Sequence, residues 1–321
     1  MTATLAQWLA AQPVDPKLAS VVATMAAASA EIAAVLRLAP IAGQTGLAGH
    51  TNVQGEAQKA LDVISNDIVL NHVRRNPQIS ILVSEELDEA VHIENQGGFM
   101  VATDPLDGSS NLDVNVTVGT IFSILDASKG LLQQGSAQLA AGYAAYGPAT
   151  SLVLTFGTST SVFTLDGSGT FVLTQERVTV TPASGEYAIN TARERFWDAA
   201  TRGYVAENVA GETGAAGKRY NMRWVGSMVA DIHRILMRGG IFIYPLDSET
   251  VNKGGRLRLL YEANPMALLV EAAGGKSTTG RERILDMVPT GIHQRVPVIL
   301  GSADEVARVE AWYDRHRSTP S

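Results

Sequence analysis

Asp104-Pro105-Leu106-Asp107-Gly108-Ser109-Ser110-Asn111 packs two carboxylates, a glycine and two hydroxyls into one short stretch. The apolar run Phe99-Met100-Val101-Ala102 leads into it and reads as a buried strand over 99–103. Pro105 biases Asp104 toward extended backbone and removes a donor from the turn. Asp104 and Asp107 then aim oxygens at one point just beyond the strand end. Gly108, Ser109 and Ser110 offer close backbone approach and successive N–H groups, the makings of an anion nest. Carboxylates beside such a nest point to a divalent cation meeting a phosphate. Asp-Pro and Asp-Gly are also ordinary turn dipeptides, so the reading depends on partners elsewhere in the chain.

The chain supplies them. Ile79-Ser80-Ile81-Leu82-Val83 reads as a second buried strand, ending in Ser84-Glu85-Glu86. Neighbouring strand residues face opposite ways, so Glu85 and Glu86 serve one site only where the strand breaks off. Upstream, the segment 57–75 has apolar residues near helical spacing and carries Asp62 and Asp67. Spacing does not choose between them. Glu262 follows the apolar run Leu259-Leu260-Tyr261 and precedes a helix expected over 264–273. A buried acid needs a partner. Several acids without a histidine cluster or any cysteine suit oxygen-ligated magnesium or manganese better than zinc.

Together with Ser84-Glu85-Glu86 and residues 104–111, four later blocks carry a family resemblance. They are Trp224-Val225-Gly226-Ser227-Met228-Val229-Ala230-Asp231, Gly239-Gly240-Ile241-Phe242-Ile243-Tyr244-Pro245, Leu257–Met266 and His293-Gln294-Arg295. In this order, over roughly residues 50 to 310, the chain resembles class I fructose-1,6-bisphosphatase. The Asp-Pro-Leu-Asp-Gly-Ser stretch alone indicates only the wider lithium-sensitive, magnesium-dependent phosphatase superfamily. The later blocks narrow it to the sugar bisphosphatases.

The resemblance implies a layered α-β-α-β-α sandwich that hydrolyses the 1-phosphate of fructose 1,6-bisphosphate. Sedoheptulose 1,7-bisphosphate is the alternative or second substrate. It implies Mg2+, with Mn2+ a substitute, at two or more ions per subunit. The metal ligands it implies are Glu85, Asp104, the Leu106 carbonyl, Asp107 and Glu262, with Glu86 and Asp62 as the catalytic acids. Gly108, Ser109 and Ser110 fall beside the reacting phosphate. Asn190, Arg223, Tyr244, Arg256 and Arg258 fall at the second phosphate, Arg223 reaching across from a neighbour in a homotetramer. Arg193 and Trp224 stand where the family often has tyrosine, and Arg256 where it usually has lysine. The family's AMP site is also altered. Gly98 and Phe99 stand for a lysine-tyrosine pair, Asp126 for an arginine, and the helix entered at residue 17 lacks the Thr-Gly-Glu-Leu signature.

Composition agrees. A chain of 321 residues with net charge −7 is not suited to nucleic acid as its main partner. The absence of cysteine excludes disulfides and thiol switches. No secretory pattern opens the chain. The Ala-rich stretch 21–36 is short for a membrane span and carries Glu31, so a soluble cytoplasmic enzyme is expected. The pattern predicts a helix over 17–37, a mobile Gly-rich loop over 40–56 and a helix over 57–75. Strands are expected at 79–84, 99–103, 118–125, 152–156, 160–165, 170–174 and 177–181. A second unit is expected from 182, making domains 1–181 and 182–321. It has helices near 224–238 and 264–273 and strands at 241–245, 257–261 and 297–300.

Overall fold

The computed structural model describes residues 3–44, 47–51 and 57–316. Helices α1 (Leu5–Ala11) and α2 (Pro16–Leu38) precede a short antiparallel pair, β1 (Leu47–Thr51) and β2 (Ala57–Lys59), and helix α3 (Ala60–Arg75). Eight strands follow: β3 (Ile79–Ser84), β4 (Val91–His92), β5 (Phe99–Asp107), β6 (Val118–Asp126), β7 (Ala140–Tyr146), β8 (Thr150–Thr155), β9 (Thr160–Leu165) and β10 (Phe171–Val178). They form one sheet in the order β10-β9-β8-β7-β6-β5-β3-β4. Within this sheet β3 and β5 pair in parallel and the other neighbours are antiparallel.

The chain continues with β11 (Glu186–Ala188), α4 (Ala199–Ala210), β12 (Asn221–Met222), α5 (Met228–Arg238), β13 (Ile241–Tyr244), β14 (Leu257–Arg258) and α6 (Asn264–Ala272). It closes with β15 (Lys276–Thr278), β16 (Arg295–Val296), β17 (Val298–Gly301) and α7 (Ala303–Arg315). Here the sheet order is β12-β11-β13-β17-β15, with β14 and β16 paired separately.

Strand alternation explains the layers, because each strand sends successive side chains to opposite faces. Phe122 and Ile124 of β6 pack against Val21, Val22, Met25 and Ile32 of α2. Ile121 faces the other way, toward Met228 and Ile232 of α5 and Met266 and Val270 of α6. Phe242 and Leu300 of the second sheet cover α5 and α6 from beyond. Ile241, Ile243 and Ile299 face outward onto α4 and α7. The result is the expected α-β-α-β-α sandwich. Helix α2 is longer than the Ala-rich stretch and long and apolar enough to cross a membrane, yet half of it is buried inside the fold. Its Glu31 pairs with His72 of α3 at 2.8 Å.

Several boundaries differ from the sequence pattern. Residues 57–59 are strand, so the helix starts at Ala60. The strands expected at 170–174 and 177–181 are one strand, β10, bent by register shifts against β9. The helix expected from 224 starts at Met228. Residues 257–261 are not a strand throughout: after β14, Leu259–Ala263 form a π-helical turn running into α6. That run is buried throughout, and so short an apolar stretch, with Arg258 buried in it, does not reveal its period. Helices α1, α4 and α7 and strand β7 were not anticipated. Part of the Gly-rich loop is strand β1, while residues 45, 46 and 52–56 lie outside the described residues.

Candidate active site

The Asp-Pro-Leu-Asp stretch continues β5 and contains a bulge. Asp104 sits opposite Ile121 of β6 and Asp107 opposite Gly119, so three steps on β5 match two on β6. In an unbroken strand residues 104 and 107 would face opposite ways. The extra residue puts both aspartates on the face covered by α5, as bulges beside active sites do. Leu106 turns into a cluster with Leu61 and Val118, and its N–H donates to Asp104 Oδ1 at 3.0 Å.

Asp107 is held from the second half of the chain. Its Oδ2 accepts from the Val229 N–H at 2.9 Å and from the Ser227 hydroxyl at 3.1 Å. Gly119 leaves room for this, since a Cβ there would come within 2.6 Å of Val229 Cγ1. Gly108 has φ +76°, and a Cβ on it would come within 2.7 Å of Ser227 Cβ. Ser109–Val114 then form a 3-10 turn. The loop before α5 is organised by Asp231, which accepts from the Val225 and Gly226 N–H groups, each at 3.2 Å.

The strand that carries Glu85 does break off after Ser84, as expected. The Glu85 N–H still reaches the Thr103 carbonyl of β5, and Leu87 N–H turns back to the Ser84 carbonyl. Ser84 Oγ donates to Asn66 Oδ1 of α3 at 2.7 Å, which sets Asp62 beside the two glutamates in the same cleft. Glu262, on the π-helical turn, accepts from the Arg258 N–H at 2.5 Å.

Carboxylate oxygens of Asp104, Asp107 and Glu262 lie within 4.8 Å of one another, all buried. Burial, followed by repulsion from Glu85, raises Asp104 and Glu262 well above the usual carboxylate range. Burial raises Asp107 to about 6, against the opposing pull of its bonds from Val229 and Ser227. Arg258 is buried with them, 2.9 Å from Glu85 and 3.9 Å from Glu262. One guanidinium among four buried carboxylates leaves a net negative, oxygen-only donor set. A hard divalent cation fits it.

The cleft encloses about 430 Å³ and is lined by Asp62, Glu85, Glu86, Asp104, Asp107 and Glu262. Leu106, Gly108, Ser109, Ser110, Asn190, Tyr244, Arg256 and Arg258 also line it. Trp224 stacks on Phe242 at 5.8 Å, and the Arg256 guanidinium lies 6.0 Å from the centre of the Tyr244 ring. Asn190 Oδ1 caps the Ala192 N–H at 3.2 Å. Arg258 was expected at the second phosphate; it lines the cleft but turns its guanidinium to the acids. Arg193 turns away, to Asp247 at 2.6 Å and Glu249 at 3.1 Å. Arg223 is half exposed, 3.6 Å from Glu186, and is not among the residues lining this cleft. The sequence reading passed over Asn66, Asp231 and the hydrogen-bonding role of Ser227. All three lie in the blocks at 224–231 and 57–75, but which residue each one bonds, across the halves for Ser227 and within one half for Asn66 and Asp231, is not encoded by spacing.

Two family models match the chain: "Fructose-1-6-bisphosphatase, N-terminal domain" over residues 5–176 and "Fructose-1-6-bisphosphatase, C-terminal domain" over residues 180–314. A class 1 fructose-1,6-bisphosphatase of Acinetobacter baumannii (strain AYE) is 49% identical over 319 residues, covering 97% of this chain and 99% of its own. One from Methylobacillus flagellatus is 51% identical over 297 residues, covering 90% of each. The crystal structure of Leishmania major fructose-1,6-bisphosphatase in holo form superposes with a TM-score of 0.93 at 36% identity, covering 98% of this chain and all of that one. With both halves matched and relatives near half identity along almost the whole length, the chain belongs to the class 1 fructose-1,6-bisphosphatase family.

Proposed function

We propose that the protein hydrolyses the 1-phosphate of fructose 1,6-bisphosphate to fructose 6-phosphate and phosphate, as a soluble cytoplasmic enzyme. The buried Asp104, Asp107 and Glu262 cluster, in one cleft with Asn190, Tyr244, Arg256 and Arg258, carries this reading. Glu85, Asp104, the Leu106 carbonyl, Asp107 and Glu262 would hold two or more Mg2+ ions, or Mn2+ in their place. Such ions supply charge neutralisation of the phosphate dianion and ease ionisation of the attacking water.

The remaining work falls to the chain's own groups. Glu86 orients the water and Asp62 takes its proton. The N–H groups of Gly108 and Ser109 donate to the phosphoryl oxygens, with Ser110 alongside, stabilising charge where it develops. The oxygen on C1 leaves and is protonated, completing the hydrolysis. At the far end Asn190, Tyr244 and Arg256 bind the second phosphate, and Arg258 steadies Glu85 and Glu262 between the two. Most metal ligands then belong to domain 1–181 and the sugar-phosphate contacts to domain 182–321. Arg223 belongs to the site of a neighbouring subunit in a homotetramer.

Arg256 and Trp224 reshape the distal end, Arg256 because arginine binds phosphate bidentately where lysine acts as a point charge, while Arg193 is held by Asp247 and Glu249. That favours keeping sedoheptulose 1,7-bisphosphate as a second substrate. Phosphate release by purified protein with Mg2+ from both bisphosphates, and from fructose 1-phosphate, tests the reading. Preference for the monophosphate would remove the distal site from it.

A further inference from the structure

We propose that Thr120 and Tyr146 are positioning residues for the metal-binding turn, holding the bulge that turns Asp104 and Asp107 to the same face. The proposal rests on the metal assignment made above. Pro105 lies inside the bulge between the two aspartates, and its carbonyl accepts the Thr120 hydroxyl at 2.8 Å. A hydroxyl carries a single proton. With that proton committed to Pro105, Thr120 Oγ1 accepts from the Tyr146 phenol, 2.7 Å away. Burial of the phenol pushes its pKa up, so it stays a donor; the Ser29 hydroxyl of α2 is beside it and spends its own proton on the Met25 carbonyl at 2.8 Å.

A relay of hydroxyls thus runs from β7 through β6 to the Pro105 carbonyl, on the peptide inside the bulge that joins the two aspartates. Thr120 is sealed from solvent, and neither residue is among those lining the cleft. Both would act through the turn and touch neither metal nor substrate. Pro105 makes such a device necessary. A bulge disrupts the local ladder, and proline contributes no N–H to anchor it.

The test is calorimetric titration of metal-stripped protein with Mn2+, with thermal melting as the control for folding. Thr120→Val keeps the shape and deletes the hydroxyl. It is expected to weaken Mn2+ binding roughly 10–100-fold, the range for groups that orient metal ligands. Thr120→Ser restores the hydroxyl and is expected to bind as the parent does. Tyr146→Phe, which leaves Thr120 in place, is expected to weaken binding by less. If Thr120→Val does not fold, Tyr146→Phe with unaltered binding overturns the proposal. Parent-like binding by a folded Thr120→Val overturns it too, as does equal loss in Thr120→Ser, which would reveal a packing effect. Asp107→Asn separates the two layers of argument. Lost binding there with intact binding in Thr120→Val removes only the positioning role, whereas intact binding in both removes the metal assignment itself.

Discussion

Ser227→Ala deletes a side chain with two jobs at the junction of the two halves. Its hydroxyl donates to Asp107 at 3.1 Å, and its oxygen caps α5 by accepting from the Ala230 N–H at 3.5 Å. A hydrogen bond to a charged group is worth about 1.5–3 kcal/mol and an N-cap about 1 kcal/mol. At about 2.1 cal/mol/K of unfolding entropy per residue, a chain of this length should melt about 4–6 °C lower. The two parts separate with pH. Asp107 ionises in the folded protein at about 6, above its ordinary 3.8, and the Ser227 bond holds that value down against burial. Removing Ser227 raises it further.

The charge-assisted part of the cost is therefore full at pH values well above 6 and disappears as the pH falls through that value and Asp107 takes up a proton. The cap part persists throughout. The parent itself loses stability as the pH rises between the unfolded and folded values, so the informative quantity is the gap between parent and variant. Differential scanning calorimetry of both metal-stripped proteins across this range should show the gap narrowing to about 1–2 °C on the acid side. A gap that does not change with pH would refute the assignment of Ser227 as a donor to an ionised Asp107.

Arg223→Ala should raise KM for the bisphosphate with little change in kcat, and mixed oligomers with Asp107→Asn should regain activity through hybrid sites. Strictly additive activity would show that each subunit builds its own pocket. AMP should inhibit weakly or not at all. Gly98, Phe99 and Asp126 cluster at one end of the first sheet, Phe99 directly opposite Asp126, where the resemblance implies two cations fewer and one carboxylate more than the family's AMP site. Each lost charge-assisted contact removes roughly 1.5–3 kcal/mol of affinity. Half-inhibition by micromolar AMP, non-competitive with the sugar, would show a nucleotide site built from other residues.

The parts of the fold visible in the sequence were those with a clean apolar signal. Strands β3, β5, β6 and β9 are runs rich in Val, Ile and Phe, and α2 and α3 carry helical spacing. β7 was missed because Ala140-Ala141-Gly142-Tyr143-Ala144-Ala145-Tyr146 lacks every β-branched residue. Its small side chains reflect close packing on both faces: a Cβ on Gly142 would come within 2.5 Å of Phe122. That reason exists only in three dimensions. At the site, the acids and the nest were legible from residue types and order. The bulge was not, since nothing in Asp-Pro-Leu-Asp says that β6 advances one residue fewer. Nor was the turn of Arg193 toward Asp247, a choice made by a buried acid distant in sequence.

The tether from the second half of the chain onto Asp107 also sets an order of events during synthesis. Asp104 and Asp107 leave the ribosome long before Ser227, Val229 and Glu262 have been made. A nascent first half therefore carries its aspartates without α5 to cover them, hydrated and free to ionise near their ordinary values. Sealing the cluster must wait for the segment around residue 294, because the Gln294 carbonyl receives the Leu259 N–H at the start of the turn that holds Glu262. Shortening the chain before that point should release a protein with a nearly complete first sheet but no high-affinity metal pocket. The phosphatase chemistry is in this sense licensed by a segment translated well after both aspartates.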